Sequence, residues 1–237
     1  MDIPPNAVHV WWLRTDRELP DAVLDRCARL LSPEEQERRD RFMFEADRRR
    51  YVLSHAMLRQ TLSLYAAVAA GEWVLETGPH GKPAISACQP QLFFSLTHTH
   101  GLSACAIAAD RDVGVDAEDI SRPAEYLELA ERFFSPQEAE RIRRLPDDWR
   151  AEAFFAVWTL KEAYIKARGL GLALPLADFS FSFPESVVTV EFAPRLDDDP
   201  AAWQFERLQP TPGHRVALAV RQPRSAPLVV LTREVEL

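Results

Sequence analysis

The segments that open at Ser32 and Ser135 are copies of one another, and this self-similarity narrows the possible folds more than any other feature. "SPEEQERRDR" and "SPQEAERIRR" share residues at offsets 0, 1, 3, 5, 6 and 9. Each places Ser at a helix N-cap, Pro at the first helical position and Glu three residues after the Ser, the capping-box arrangement. The two serines lie 103 positions apart, and at that offset "VHVWWLRTD" (8–16) overlies "RDVGVDAED" (111–119). Val10 then falls on Val113, Trp12 on Val115 and Asp16 on Asp119. Further on, the segment 92–109 resembles 203–220, and at an offset of 112 Phe93 falls on Phe205 and Gly101 on Gly213. The drift equals an insertion of nine residues. Two unrelated mixed domains could share such punctuation. The register of strand and helix together favours duplication.

The expected fold is therefore α+β, a pseudo-dimer of two similar α/β units whose antiparallel sheets are packed by helices. The halves are 1–110 and 111–237, and the second carries the distinctive carboxylates. Each half reads as strand, capped helix, longer helix, then antiparallel strands. The long helices are expected at about 47–70 and 148–168, with Gly169 and Gly171 as stop signals for the second. The tail is expected to be mostly strand, at 179–183, 187–192, 203–208, 214–221 and 228–236.

Composition excludes several classes. Among 237 residues 47% are hydrophobic, enough for a substantial core. A net charge of −8 disfavours a general nucleic-acid binder, although a local basic groove remains open. Cys27, Cys88 and Cys105 form no CxxC pair and read as reduced core residues of a cytosolic protein. The N-terminus "MDIPPNAVHVWW" is not a signal peptide, and the longest apolar run, "LYAAVAA", is too short to span a bilayer. A soluble, cytoplasmic protein is expected.

Where the copies differ, chemistry is the better explanation. In "VGVDAEDI", Asp116 and Glu118 alternate with apolar neighbours and so point to one face of a strand. The first copy has Leu13 and Thr15 there. Paired carboxylates repel unless a cation lies between them; the bland reading is a solvated strand end, which suits Asp119 better than Asp116. In "FFAVWTLKEAYIKARGLGLAL", Trp158, Glu162 and Lys166 follow at four-residue spacing on one helical stripe. An exposed Glu–Lys pair would explain two of them. The apolar neighbours argue instead for charges at the edge of a core or cleft, with Lys161 and Lys166 as two ammonium groups near three carboxylates. Asp116, Glu118 and Glu162 suit a hard cation such as Mg²⁺. In "SLTHTHG", Thr97 and His98 suit phosphate oxygens better than metal, because no second group with zinc spacing exists. The run Arg48-Arg49-Arg50 adds positive charge at the start of the first long helix, of which a solvated face explains at least two.

"GVDAED" with "WTLKEAYIK" downstream, Trp158 lying 42 positions after Asp116, resembles the G-[IV]-D-x-E and W-x-x-K-E-[AS]-x-x-K signatures of the 4′-phosphopantetheinyl transferases. Length and duplication resemble the Sfp type, a pseudo-dimer in one chain; "GKP" (81–83) and "THT" (97–99) also fall where that family has related segments. The resemblance implies transfer of the phosphopantetheine arm of coenzyme A to a serine of an apo acyl or peptidyl carrier protein, releasing adenosine 3′,5′-bisphosphate. By motif position it implies that Asp116, Glu118 and Glu162 hold Mg²⁺, with Mn²⁺ as a substitute. Glu162 would be the base, directly or through a water. Asp116, Glu162 and Lys166 form the implied catalytic set. Arg50, Lys82, Thr97, His98 and Lys166 would bind coenzyme A, Arg50 at its 3′-phosphate. Thr97 stands where serine is common, and His80 where an aromatic often precedes "GKP". A monomer is expected, since duplication already supplies the interface, and neither nucleic acid nor membrane is an expected partner. The competing readings are a Mg²⁺-dependent nucleotidyl transferase or nuclease, and a non-catalytic protein that binds coenzyme A or a carrier domain.

Overall fold

Both capping boxes form. Ser32 Oγ accepts from the Glu35 N–H at 3.3 Å while a Glu35 carboxylate oxygen accepts from the Ser32 N–H at 2.8 Å. The Ser135–Glu138 pair repeats this at 3.3 and 3.0 Å. The computed structural model describes residues 1–184, 187–223 and 225–237. In the first half it places β1 (Ala7–Arg14), α1 (Asp21–Ala28), α2 (Pro33–Asp40), α3 (Glu45–Leu62), β2 (Leu75–Thr77), β3 (Pro83–Ile85), β4 (Phe93–Thr99) and β5 (Leu102–Ala108). The second half follows with β6 (Val113–Asp119), α4 (Tyr126–Phe133), α5 (Pro136–Arg143), α6 (Asp147–Arg168), β7 (Phe179–Ser182) and β8 (Thr189–Phe192). It closes with β9 (Trp203–Leu208), β10 (His214–Arg221) and β11 (Val229–Glu234). Helices α2 and α5 are related by the 103-residue offset at both ends.

The first long helix stops at Leu62 rather than near residue 70. Its last turn is where the chain folds back: Trp73 Nε1 donates to Ser63 Oγ at 3.0 Å, and Arg59 donates to the Trp73 carbonyl at 2.8 Å. Burying Trp73 there gains more than extending an apolar helix into solvent would. Cys27 and Cys105 are buried as expected, whereas Cys88 is exposed and belongs to no core. Among the described residues no helix is long and apolar enough to cross a membrane.

Two larger sheets result, ordered β11-β1-β5-β4 and β6-β10-β9, beside the two-stranded pairs β2-β3 and β7-β8. Strand alternation gives each sheet two apolar faces. Val8, Val10, Leu102, Ala104, Ala106, Val113, Val115, Ala117, Val216 and Leu218 meet in one cluster where the two sheets pack. Trp11, Leu13, Cys105 and Ile107 face the opposite way, onto α3. On β6 the opposite face carries Gly114, and a Cβ there would lie 2.0 Å from the Ala163 carbonyl oxygen. The missing side chain lets α6 lie directly against β6. Asp116 and Glu118, two and four residues on, therefore share the face that α6 covers.

The last strand is unexpected. β11 does not join the second sheet; it pairs in parallel with β1, Ala7 opposite Val229 through Trp12 opposite Glu234.

Candidate active site

Helix α6 divides its charges by angular position. Lys161 and Lys166 are five residues apart, about 140° around the helix. The Lys161 ammonium is wholly buried 2.8 Å from Glu138, also wholly buried. It donates to the carbonyls of Leu176 at 2.7 Å and of Phe179. The grouping of both ammonium groups with the carboxylates is thus corrected: Lys161 is a strut that fixes α6 to α5 and β7. The first half has the same device, Arg59 to Glu35 at 2.9 Å, so in both halves the capping-box glutamate anchors a buried cation of the long helix.

Lys166, on the other stripe, reaches across the junction of the halves. Its ammonium donates to Asp116 Oδ1 at 2.7 Å and to Thr97 Oγ1 at 3.0 Å. Thr97 Oγ1 in turn donates to Asp116 Oδ1 at 3.2 Å. The second oxygen of Asp116, Oδ2, is buried with no hydrogen-bond partner among the described residues. Burial, then the nearby Asp116 charge, raises the pKa of Glu118. The same two causes in the same order raise that of Glu162. Three carboxyl groups thus crowd one place, with one orphaned oxygen and two groups reluctant to ionise. This is the electrostatic condition that a cation relieves. As they lie, no three such side chains among the described residues enclose a metal position. Asp116 is instead neutralised by the Lys166 ammonium. The hard-oxygen donor set fits Mg²⁺, with Asp116 Oδ2 already aimed away from Lys166's contact.

Next to the carboxylates lies a cavity of about 270 Å³, lined by His80, Lys82 and Pro83 with Ser95, Glu162 and Lys166. Both halves contribute to it. Lys82 Nζ donates to the Ala167 carbonyl at 2.8 Å near the C-terminal end of α6, and its stem packs on Gly169, whose φ is +65°. Burial lowers its pKa, with Asp112 opposing. His98 is exposed on the other face of β4, yet the surrounding protein displaces enough solvent to lower its pKa; the Arg50 and Lys166 charges add to this. Of the three arginines, Arg48 is held by the Phe42 and Met43 carbonyls and Arg49 by the Arg17 carbonyl. Among the described residues Arg50 is bonded only to Asp47, at 3.1 Å, and it is the one of the three whose charge reaches His98. It does not line the cavity with Lys82.

Two hydroxyls that sequence reading passed over flank Thr97. Ser95 Oγ accepts from the Val115 N–H at 3.1 Å. Thr99 Oγ1 accepts from the Asp119 N–H at 3.3 Å and donates to Glu118 Oε2 at 3.4 Å. The alternation in "SLTHT" was the available signal, since it puts all three hydroxyls on one face of β4.

Comparison with known proteins points to one family. Residues 112–220 match the family model of the 4′-phosphopantetheinyl transferase superfamily, and residues 20–111 match that of the 4′-phosphopantetheinyl transferase N-terminal region. The chain is 34% identical over 226 residues to 4′-phosphopantetheinyl transferase HetI of Nostoc sp., covering 92% of this chain and 91% of that one. It is 28% identical to 4′-phosphopantetheinyl transferase Sfp of Bacillus subtilis, covering 90% and 92%. It is also 31% identical to the L-aminoadipate-semialdehyde dehydrogenase-phosphopantetheinyl transferase of Xenopus laevis, covering 82% and 69%. Among solved structures, the holo-[acyl-carrier-protein] synthase of Helicobacter pylori in complex with coenzyme A aligns with a TM-score of 0.37 at 19% identity, over 45% of this chain and 96% of that one.

Proposed function

The chain belongs to the 4′-phosphopantetheinyl transferase superfamily, and from that premise we propose how its own residues move the phosphopantetheine arm of coenzyme A to a carrier-protein serine. The reaction breaks the bond between the two phosphates of the pyrophosphate, releases adenosine 3′,5′-bisphosphate and joins the phosphopantetheine phosphorus to the serine oxygen. The observation that carries the assignment is the meeting of Thr97 and Lys166 on Asp116, from β4, α6 and β6 in one cluster.

Asp116, Glu118 and Glu162 would hold Mg²⁺ or Mn²⁺, which when bound supplies positive charge to the pyrophosphate oxygens. Lys166 lines the cavity and carries an ammonium that can pass from Asp116 to a phosphate oxygen. Thr97 offers its hydroxyl from the first half, and His98 faces Arg50 for the 3′-phosphate end. Lys82 and Pro83 wall the adenine side, Lys82 chiefly by placing the turn against α6. Glu162 sits on a rigid helix beside the cavity and is the group placed to take the serine proton, directly or through a water. Because the cavity draws on both halves of one chain, a monomer is sufficient for activity, and the halves 1–110 and 111–237 act as one catalytic unit.

The test is transfer from coenzyme A to apo carrier proteins, read by intact mass. Asp116→Ala should abolish transfer while the protein stays folded, and excess EDTA should do the same to the parent. Near-normal turnover in a folded Asp116→Ala protein would remove the metal assignment.

A further inference from the structure

Among the described residues the edge of β6 that faces away from β10 has no backbone partner strand, yet β6 carries the carboxylates on which the proposed reaction depends. Hydroxyls take the partner's place. Val115 N–H donates to Ser95 Oγ at 3.1 Å, Asp119 N–H donates to Thr99 Oγ1 at 3.3 Å, and Thr97 bonds Asp116 between them. The three hydroxyls occupy alternate positions of β4 and run beside β6 in a parallel sense. Val115, Ala117 and Asp119 point their N–H groups to this edge because β6 pairs antiparallel with β10 through the alternate residues. Ser103 and Leu102 hold β4 from its other side through the β5 ladder, so the hydroxyl column cannot slide freely.

We propose that Ser95 and Thr99 are positioning residues for the metal-holding carboxylates, fixing the height and tilt of β6 so that Asp116 and Glu118 present their oxygens to the cavity. Thr99 has the larger share. It accepts from the backbone of Asp119 and donates to Glu118 Oε2 at 3.4 Å, so one hydroxyl holds both strand and side chain. A hydroxyl column suits this task where a strand does not. A strand hydrogen-bonded along β6 would take the space of the Thr97 and Lys166 contacts with Asp116. The inference rests on the proposed function, because it assumes that these carboxylates hold a divalent cation.

The test measures Mn²⁺ binding to the intact protein by electron paramagnetic resonance, alongside the dependence of transfer on Mg²⁺ concentration. The variants are Thr99→Val, which keeps the shape and removes the hydroxyl, Thr99→Ser, which restores it, and Ser95→Ala. Thr99→Val should weaken Mn²⁺ binding by about tenfold, the usual effect of losing a group that orients a ligand, and raise the Mg²⁺ concentration for half-maximal rate in step. The KM for coenzyme A measured at saturating Mg²⁺ should change little, and Thr99→Ser should recover most of the loss. Ser95→Ala should shift the same two readouts in the same direction but less. Unchanged Mn²⁺ binding in Thr99→Val, with the parent binding normally, overturns the positioning role. So does equal loss in Thr99→Val and Thr99→Ser, which would mark a packing defect. Parent protein that binds no Mn²⁺ refutes the metal reading itself, an outcome visible before any variant is compared.

Discussion

Replacing Lys161 with Met tests whether the two lysines of α6 have separate tasks. The Lys161 ammonium and the Glu138 carboxylate lie 2.8 Å apart with neither side chain exposed. Burial pulls the Lys161 pKa down, and the Glu138 charge opposes that shift. Glu138 keeps the N–H groups of Ser135 at 3.0 Å and Phe181 at 2.8 Å when Lys161 is lost. It would nonetheless be a buried anion without its cation, and the Leu176 and Phe179 carbonyls would lose their donor. Breaking such a pair from one side costs about 3–5 kcal/mol, a large part of the roughly 5–15 kcal/mol that holds a typical domain together. Adding Glu138→Gln removes the stranded charge and should return part of the loss, a coupling of about 0.5–3 kcal/mol. Urea unfolding of the parent, both single variants and the double variant, followed by tryptophan fluorescence, gives these differences. Transfer activity per folded molecule in Lys161→Met should stay close to that of the parent. A variant as stable as the parent would refute the strut, and one that is stably folded but inactive would place Lys161 in the chemistry.

Arg50→Ala should raise the KM for coenzyme A far more than for its 3′-dephospho form, since a charge-assisted hydrogen bond of roughly 1.5–3 kcal/mol would exist only with the 3′-phosphate present; equal weakening of both would return Arg50 to the scaffold. Burial holds the pKa of His55 down at about 4, against the opposing influence of Glu35 and the Tyr51 carbonyl. A histidine with a lowered folded pKa is protonated first in the unfolded chain, so its contribution is complete above about pH 6.5 and is lost as pH falls from there toward 4. The effect is on the order of 3 kcal/mol. His55→Phe keeps a ring over Tyr51, now stacked at 3.9 Å, and should flatten the fall in stability between pH 6.5 and 5 when urea midpoints are compared. An unchanged slope would show that other groups set it. Size measurements in solution should give a single chain at working concentrations, and activity that appears only with a dimer would contradict the one-chain site.

The duplication was legible because its signals are local. A capping box needs only Ser, Pro and Glu at fixed spacing, and both copies sit at the start of their helices. The carboxylates were legible for a similar reason: strand alternation put Asp116 and Glu118 on one face, and their absence from the first copy marked them. Helical angle could have separated Lys161 from Lys166, but a sequence does not show that Glu138 waits on the far side. The end of α3 was misread because "LYAAVAA" is as apolar as a helix core, while the return of Trp73 onto Ser63 is a tertiary event. Ser95 and Thr99 act only through β6, and no local pattern reveals which strand edge will lie beside them. The placement of β11 was hidden for the same reason, since alternation predicts a strand but not its sheet.

That last strand has a consequence for synthesis. Val229 pairs with Ala7, so β1 is completed by a strand synthesised long after it. Until it arrives, β1 has an open edge of unsatisfied backbone groups, the kind of surface that recruits foreign strands. Closing a loop of this length adds little entropy per extra residue, but it does delay completion of the first sheet until β11 has been made. The two copies are therefore stitched rather than strung together. A chain stopped before Val229 would leave the first sheet unfinished, so a truncation in the second copy would do its damage in the first.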